Sequence, residues 1–282
     1  MIRRTVPQKT ISKESKLSGV GLHTGEHVNI TFKPAPADTG LVFVREDIEG
    51  DNLINAHIKY ISNTDRGTNL DNGVFRIHTS EHVLAAITGL EIDNCFICLD
   101  GPEVPIMDGS SKFFINALEE AKIVEQNVLR EEFFPSEPIS YVCEDSGSNI
   151  SILPDDNYKV NTIVDFKTKV LGKQEASINH ISDFKEEISS ARTFSFLHEL
   201  ETLLENGLIK GGDLNNAIVY VDKPLAESNM DILKRAFNKD SISVTPNGIL
   251  DNLDLHYHNE AARHKLLDVI GDLALIGMRI RG

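Results

Sequence analysis

Two stretches of this chain, TSEHVLAAITG at 79–89 and ARHKLLDVIGDLALIG at 262–277, follow one plan: a potential ligand near the start, a helical pattern, a closing glycine and then a strand. A helix that is apolar on one side and carries chemistry near its start must bury that side against another layer. Its recurrence in both halves is a faint internal echo that suggests two similar α+β layers facing each other. In the first stretch Thr79 is the expected N-cap and Gly89 the stop; in the second the stop is Gly277.

Short strands fill the space between. VNITFKPAP (28–36), LVFVRED (41–47) and GVFRIH (73–78) alternate or run apolar, IDNCFICLDG reads as a buried strand, and SKFFINALEEAKI reads as an amphipathic helix. Charge and proline gather in NVLREEFFPSEPIS (127–140), which predicts a connection between a first domain, 1–127, and a second, 128–282. The second repeats the plan through ISYVCE (139–144), VNTIVDF (160–166), FSFLHELETLLENG and AIVYV (217–221). With 28 basic against 43 acidic residues and a net charge of -15, the chain is a poor partner for nucleic acid. The polar N-terminus carries neither a signal peptide nor a membrane span, so a cytoplasmic protein is expected. Cys95 and Cys98 lie three apart on a strand, pointing to opposite faces, and read as packed thiols rather than a metal pair.

HTSEH (78–82) fits the H-x-x-E-H pattern of inverted zinc peptidases, in which both histidines hold metal and the glutamate activates water. A second arrangement competes with it. His264 and Asp268 are four residues apart and share a helix face, with Asp272 one turn further on. These two, one histidine of 78–82 and Glu81 as base would form a three-ligand catalytic site with an open position. Strand periodicity runs up to His78, which favours His82, but spacing alone leaves both schemes open.

Six motifs carry a resemblance that covers nearly the whole chain in order: SGVGLHTG, HTSEHVLAAITGLEIDN, PEVPIMDGS, SARTFSF, GLIKGGDLNNAIV and RHKLLDVIGDLALIG. Together they resemble the UDP-3-O-acyl-N-acetylglucosamine deacetylase family, the zinc amidases of lipid A synthesis. The resemblance implies two α+β domains, each a β-sheet layered on α-helices, with the helix layers facing each other as a β-α-α-β sandwich. It implies one catalytic Zn²⁺ on His82, His264 and Asp268, with Glu81 as general base and an acylated UDP-sugar as substrate. Thr193 would donate to the oxyanion, Lys265 would contact substrate or stabilise its charge, and His23 would touch substrate. Asp108 would lie near the site as a supporting carboxylate. An insert near 193–221 would enclose the acyl chain with Phe194, Leu197, Leu200, Ile209, Leu214 and Val219. A smaller insert near 63–72 would border the sugar.

The sequence departs from the pattern at its end, where Gly282 precedes the family's Gly-His motif. That histidine is the general acid, and Asp272 would orient it, so Asp272 is left without a visible partner. Loss of a general acid costs about 10² to 10⁴ in rate. The resemblance therefore also admits an incomplete second domain, or the N-terminal part of a fusion to a 3-hydroxyacyl-carrier-protein dehydratase. A monomer is expected for the deacetylase part. Two further readings stand beside this one: a zinc- and sugar-nucleotide-binding fragment without turnover, and an H-x-x-E-H metallopeptidase.

Overall fold

The computed structural model describes residues 1–64, 66–200, 210–212, 216–223, 233–234, 240–250 and 253–282. Its first layer is a five-stranded sheet in the order β2 (Ser15–Val20), β3 (His27–Pro34), β9 (Cys95–Leu99), β4 (Leu41–Arg45), β5 (Leu53–Asn55). All pairings are antiparallel except β4 with β9. On β3 the alternation is clean: Val28, Ile30 and Phe32 are buried, and Phe32 meets Phe114 edge-on at 6.4 Å. Phe114 belongs to α2 (Lys112–Glu120), which buries Phe114, Ile115, Ala117 and Leu118 and leaves its charges outside.

Helix α1 (Glu81–Gly89) is buried along its whole length. It packs against the long helix α4 (Glu260–Ala274), which in turn packs on the hairpin β13 (Val160–Asp165) and β14 (Lys173–Ile178). The class is thus α+β, with helices α1 and α4 meeting between sheet layers. Gly271 makes that approach possible, since a Cβ there would lie 2.1 Å from the Glu81 carbonyl oxygen. The short helix α3 (Phe184–Glu187) places Phe184 against Gly89 at the other end of α1.

Strand β10 (Ile123–Phe133) pairs antiparallel with β1 (Ile2–Ile11) and parallel with β17 (Arg279–Ile280). The connection expected from residue 127 onward thus begins with strand, and the boundary expected at 127/128 falls inside β10. The cause is an inward row that includes buried Arg130 and Glu132, whose charges disguise the strand pattern. Arg130 is held by Asp93 at 2.7 Å and Glu91 at 3.2 Å.

Strands β11 (Ile139–Val142) and β12 (Asn149–Ile152) form a separate hairpin. The smaller expected insert is a three-stranded sheet of β6 (Ile61–Asn63), β7 (Asn69–Asp71) and β8 (Arg76–Ile77). In the larger one, β15 (Phe194–Phe196) and β16 (Ile218–Tyr220) pair in parallel. Cys95 and Cys98 are free and buried. Among the described residues no helix is long and apolar enough to cross a membrane.

Candidate metal centre and cleft

The start of α1 is set by a break just before it. Thr79, the expected N-cap, instead takes a left-handed φ of 58° and donates its hydroxyl to Glu103 Oε1 at 2.9 Å. Ser80 is the capping residue, and its hydroxyl donates to the Thr68 carbonyl at 2.8 Å rather than into the helix. A β-branched residue in this backbone region is strained and needs an external partner. Fully buried Glu103 provides it, and also accepts from the backbone N–H groups of His23 and Thr24. The turn leaves His78 on the strand side, where its N–H donates to the Pro102 carbonyl at 2.9 Å. The His78 ring lies 3.0 Å from Asn69 Oδ1.

Beyond the break, His82 on α1 faces His264 and Asp268 on α4. The ring centroids of the two histidines are 4.9 Å apart. Asp268 Oδ1 is 3.4 Å from His264 Nε2 and 3.7 Å from His82 Nε2. One ligand atom from each of the three residues can be chosen so that all lie within 4.8 Å of one another. His264 Nδ1 donates to the Ala191 carbonyl at 3.1 Å, which leaves Nε2 unprotonated toward Asp268.

Burial, reinforced by His264, pushes the pKa of His82 down to about 3, so both of its neighbours meet a neutral ring. Burial also lowers His264. For Asp268 burial works the other way, but His264, Lys265 and His82 hold the carboxyl well below its usual range. Among the described residues, two buried atoms here, His82 Nδ1 and Asp268 Oδ1, find no hydrogen-bond partner. Neutral imidazoles around an unpartnered carboxylate oxygen fit a small borderline cation such as Zn²⁺, for which two nitrogens and one oxygen leave a position open.

Glu81 stands beside this group. Its Oε2 accepts the Thr68 N–H at 2.9 Å, and burial, with Asp268 next, raises its pKa to about 8. Lys265 Nζ is 2.8 Å from Asp268 Oδ2, a contact that raises its pKa, and it lies 5.7 Å from the Phe194 ring centroid. Asp272, one turn beyond Asp268, accepts the Thr68 hydroxyl on its Oδ1 at 2.6 Å.

All these groups open on a cleft of about 830 Å³, which His23, Thr193, Phe194, Leu200 and Val219 also line. Leu197 is fully buried and packs in a small apolar cluster with Leu200, Val219, Leu233 and Leu250, of which Leu200 and Val219 reach the cleft wall. Ile209 and Leu214 lie outside the described residues. Asp108 closes its own turn, accepting from the Ser110 N–H at 3.0 Å and the Ser110 hydroxyl at 2.6 Å. Thr68 and Glu103 escaped the sequence reading, because a single polar residue in a loop has no periodicity to mark it.

Fold and centre together define an α+β protein with a candidate mononuclear metal site at the meeting of two helices. The model for UDP-3-O-acyl N-acetylglycosamine deacetylase matches residues 8–232 and 225–282. The chain belongs to this family. It is 43% identical over 275 residues to the "Bifunctional enzyme LpxC/FabZ" of Porphyromonas gingivalis, covering 98% of this chain and 60% of that protein. The protein of the same name from Chlorobaculum tepidum is 44% identical over 279 residues, with the same coverage. The UDP-3-O-acyl-N-acetylglucosamine deacetylase of Acidithiobacillus ferrooxidans is 37% identical over 280 residues, covering 98% of this chain and 84% of that protein. The chain thus spans about 60% of the length of the bifunctional relatives.

Proposed function

We propose that the protein hydrolyses the N-acetyl group of a UDP-3-O-(3-hydroxyacyl)-N-acetylglucosamine, releasing acetate, in lipid A biosynthesis. The observation that carries this is the convergence of His82, His264 and Asp268 beside the buried carboxyl of Glu81, in a chain of this family. His82, His264 and Asp268 would hold one Zn²⁺, which when bound supplies Lewis acidity to polarise the amide carbonyl.

The chain's own groups divide the remaining work. Thr68 N–H fixes Oε2 of Glu81, leaving Oε1 to take a proton from the attacking water. A carboxyl whose pKa stands near 8 without a cation is a strong enough base once a neighbouring positive charge favours its ionised form. Thr193, on the cleft wall, donates to the oxyanion as it forms, and Lys265 Nζ, also in the cleft and held by Asp268, adds positive charge there. The apolar side chains of Phe194, Leu200 and Val219 give an acyl chain somewhere to lie, and His23 contacts the sugar-nucleotide end.

The test is acetate release from the acylated sugar nucleotide by the zinc-loaded chain and by a chain extended past Gly282. Release that depends on zinc and is abolished by chelation is expected. Zinc-loaded, folded protein that releases no acetate in either form would overturn the assignment and leave the binding-fragment reading.

A further inference from the structure

A second buried charge system sits behind the candidate metal centre. Arg192 and Glu260 are 5% and 0% exposed in their side chains, and Arg192 Nε donates to Glu260 Oε1 at 2.9 Å. Arg192 Nη2 reaches the Asp254 carbonyl at 2.6 Å. The Glu260 carboxylate also accepts the backbone N–H groups of Arg192, at 3.1 Å, and His256, at 2.7 Å. Glu260 lies in the first turn of α4, one turn before His264, where a negative charge is favoured by the helix dipole.

The pair clamps a three-residue run, 191–193, against that turn. Its first member, Ala191, presents the carbonyl that accepts from His264 Nδ1 at 3.1 Å. Its last, Thr193, lines the cleft, and its N–H is tied to the Gly109 carbonyl at 2.8 Å. A buried pair of this kind contributes little net stability over an apolar replacement, so a specific arrangement is the better reason for its presence. We propose that Arg192 and Glu260 are positioning residues that fix the Ala191 carbonyl, set the ring orientation and tautomer of His264 through it, and so raise metal affinity.

The inference rests on His264 being a metal ligand. Its test is zinc affinity by chelator competition in wild type, Glu260→Gln, the double variant Glu260→Gln with Arg192→Met, and His264→Ala, with melting temperatures measured alongside. Glu260→Gln leaves a buried guanidinium without its carboxylate and is expected to be unstable. The double variant removes that charge while the glutamine oxygen still serves a backbone N–H, so its melting temperature is expected to recover toward wild type. Its zinc affinity is expected to stay about tenfold or more below wild type, in the range for loss of a partner behind a ligand. In the metal-free double variant the His264 Nδ1 proton is expected to exchange faster with solvent. A double variant that binds zinc as tightly as wild type would overturn the proposal, the pair then being structural alone. Wild-type affinity in His264→Ala would instead remove the metal reading beneath it.

Discussion

Gly271→Ala tests how tightly the packing of two helices controls the site. The new Cβ would stand 2.1 Å from Glu81 O, 2.8 Å from Glu81 C and 3.1 Å from Glu81 Cα. All three are backbone atoms of the first residue of α1, so no side-chain rotation can relieve the clash. The helices must separate by roughly 1 Å to reach ordinary contact. Forced overpacking costs about 1–3 kcal/mol, offset by about 1 kcal/mol from the better helix propensity of alanine. A net loss of up to about 2 kcal/mol is expected, with a correspondingly lower melting temperature. The larger effect falls on metal, because His82 rides on α1 while His264 and Asp268 ride on α4. Ligand distances tolerate only about ±0.2 Å, so a shift of that size is expected to lower zinc affinity at least tenfold. Chelator competition and thermal melting read both quantities. A variant with wild-type affinity and melting temperature would refute the claim that this contact sets the site.

Glu81→Gln keeps the shape of the side chain but removes the proposed base: zinc binding is expected to persist while acetate release falls about 10² to 10⁴-fold. Phe184→Ala removes a fully buried ring packed on Gly89 and is expected to cost about 3–5 kcal/mol in denaturant unfolding. Glu91 resists its own burial because Lys9 and Arg130 lower its pKa. Its depressed value means stability present above the unfolded carboxylate range and lost as pH falls through the folded pKa. Glu91→Gln should therefore destabilise at pH 7, and the difference from wild type should shrink below about pH 4, as read by urea midpoints across pH.

The layered class could be read from residues because α1, α2 and α4 carry helical patterns and β3, β4 and β9 carry strand patterns close to their observed bounds. The pairing of β1 with β10 could not, since it joins residues more than a hundred positions apart and its inward row holds Arg130 and Glu132. At the site, the i, i+4 spacing of His264 and Asp268 was visible, but the choice between His78 and His82 was not. That choice depends on the left-handed turn at Thr79, which exists because Glu103 waits 24 residues later to accept its hydroxyl. The partners of Asp272 and Ala191 are likewise products of the tertiary fold, carried by Thr68 and His264 from distant segments.

Metal content of wild type, His78→Ala and His264→Ala, each purified, zinc-loaded and desalted, tests the central claim most directly. The account predicts one zinc per chain in wild type and in His78→Ala, and a loss of bound zinc in His264→Ala. Zinc lost with His78 and kept without His264 would contradict it and return the site to the H-x-x-E-H peptidase arrangement.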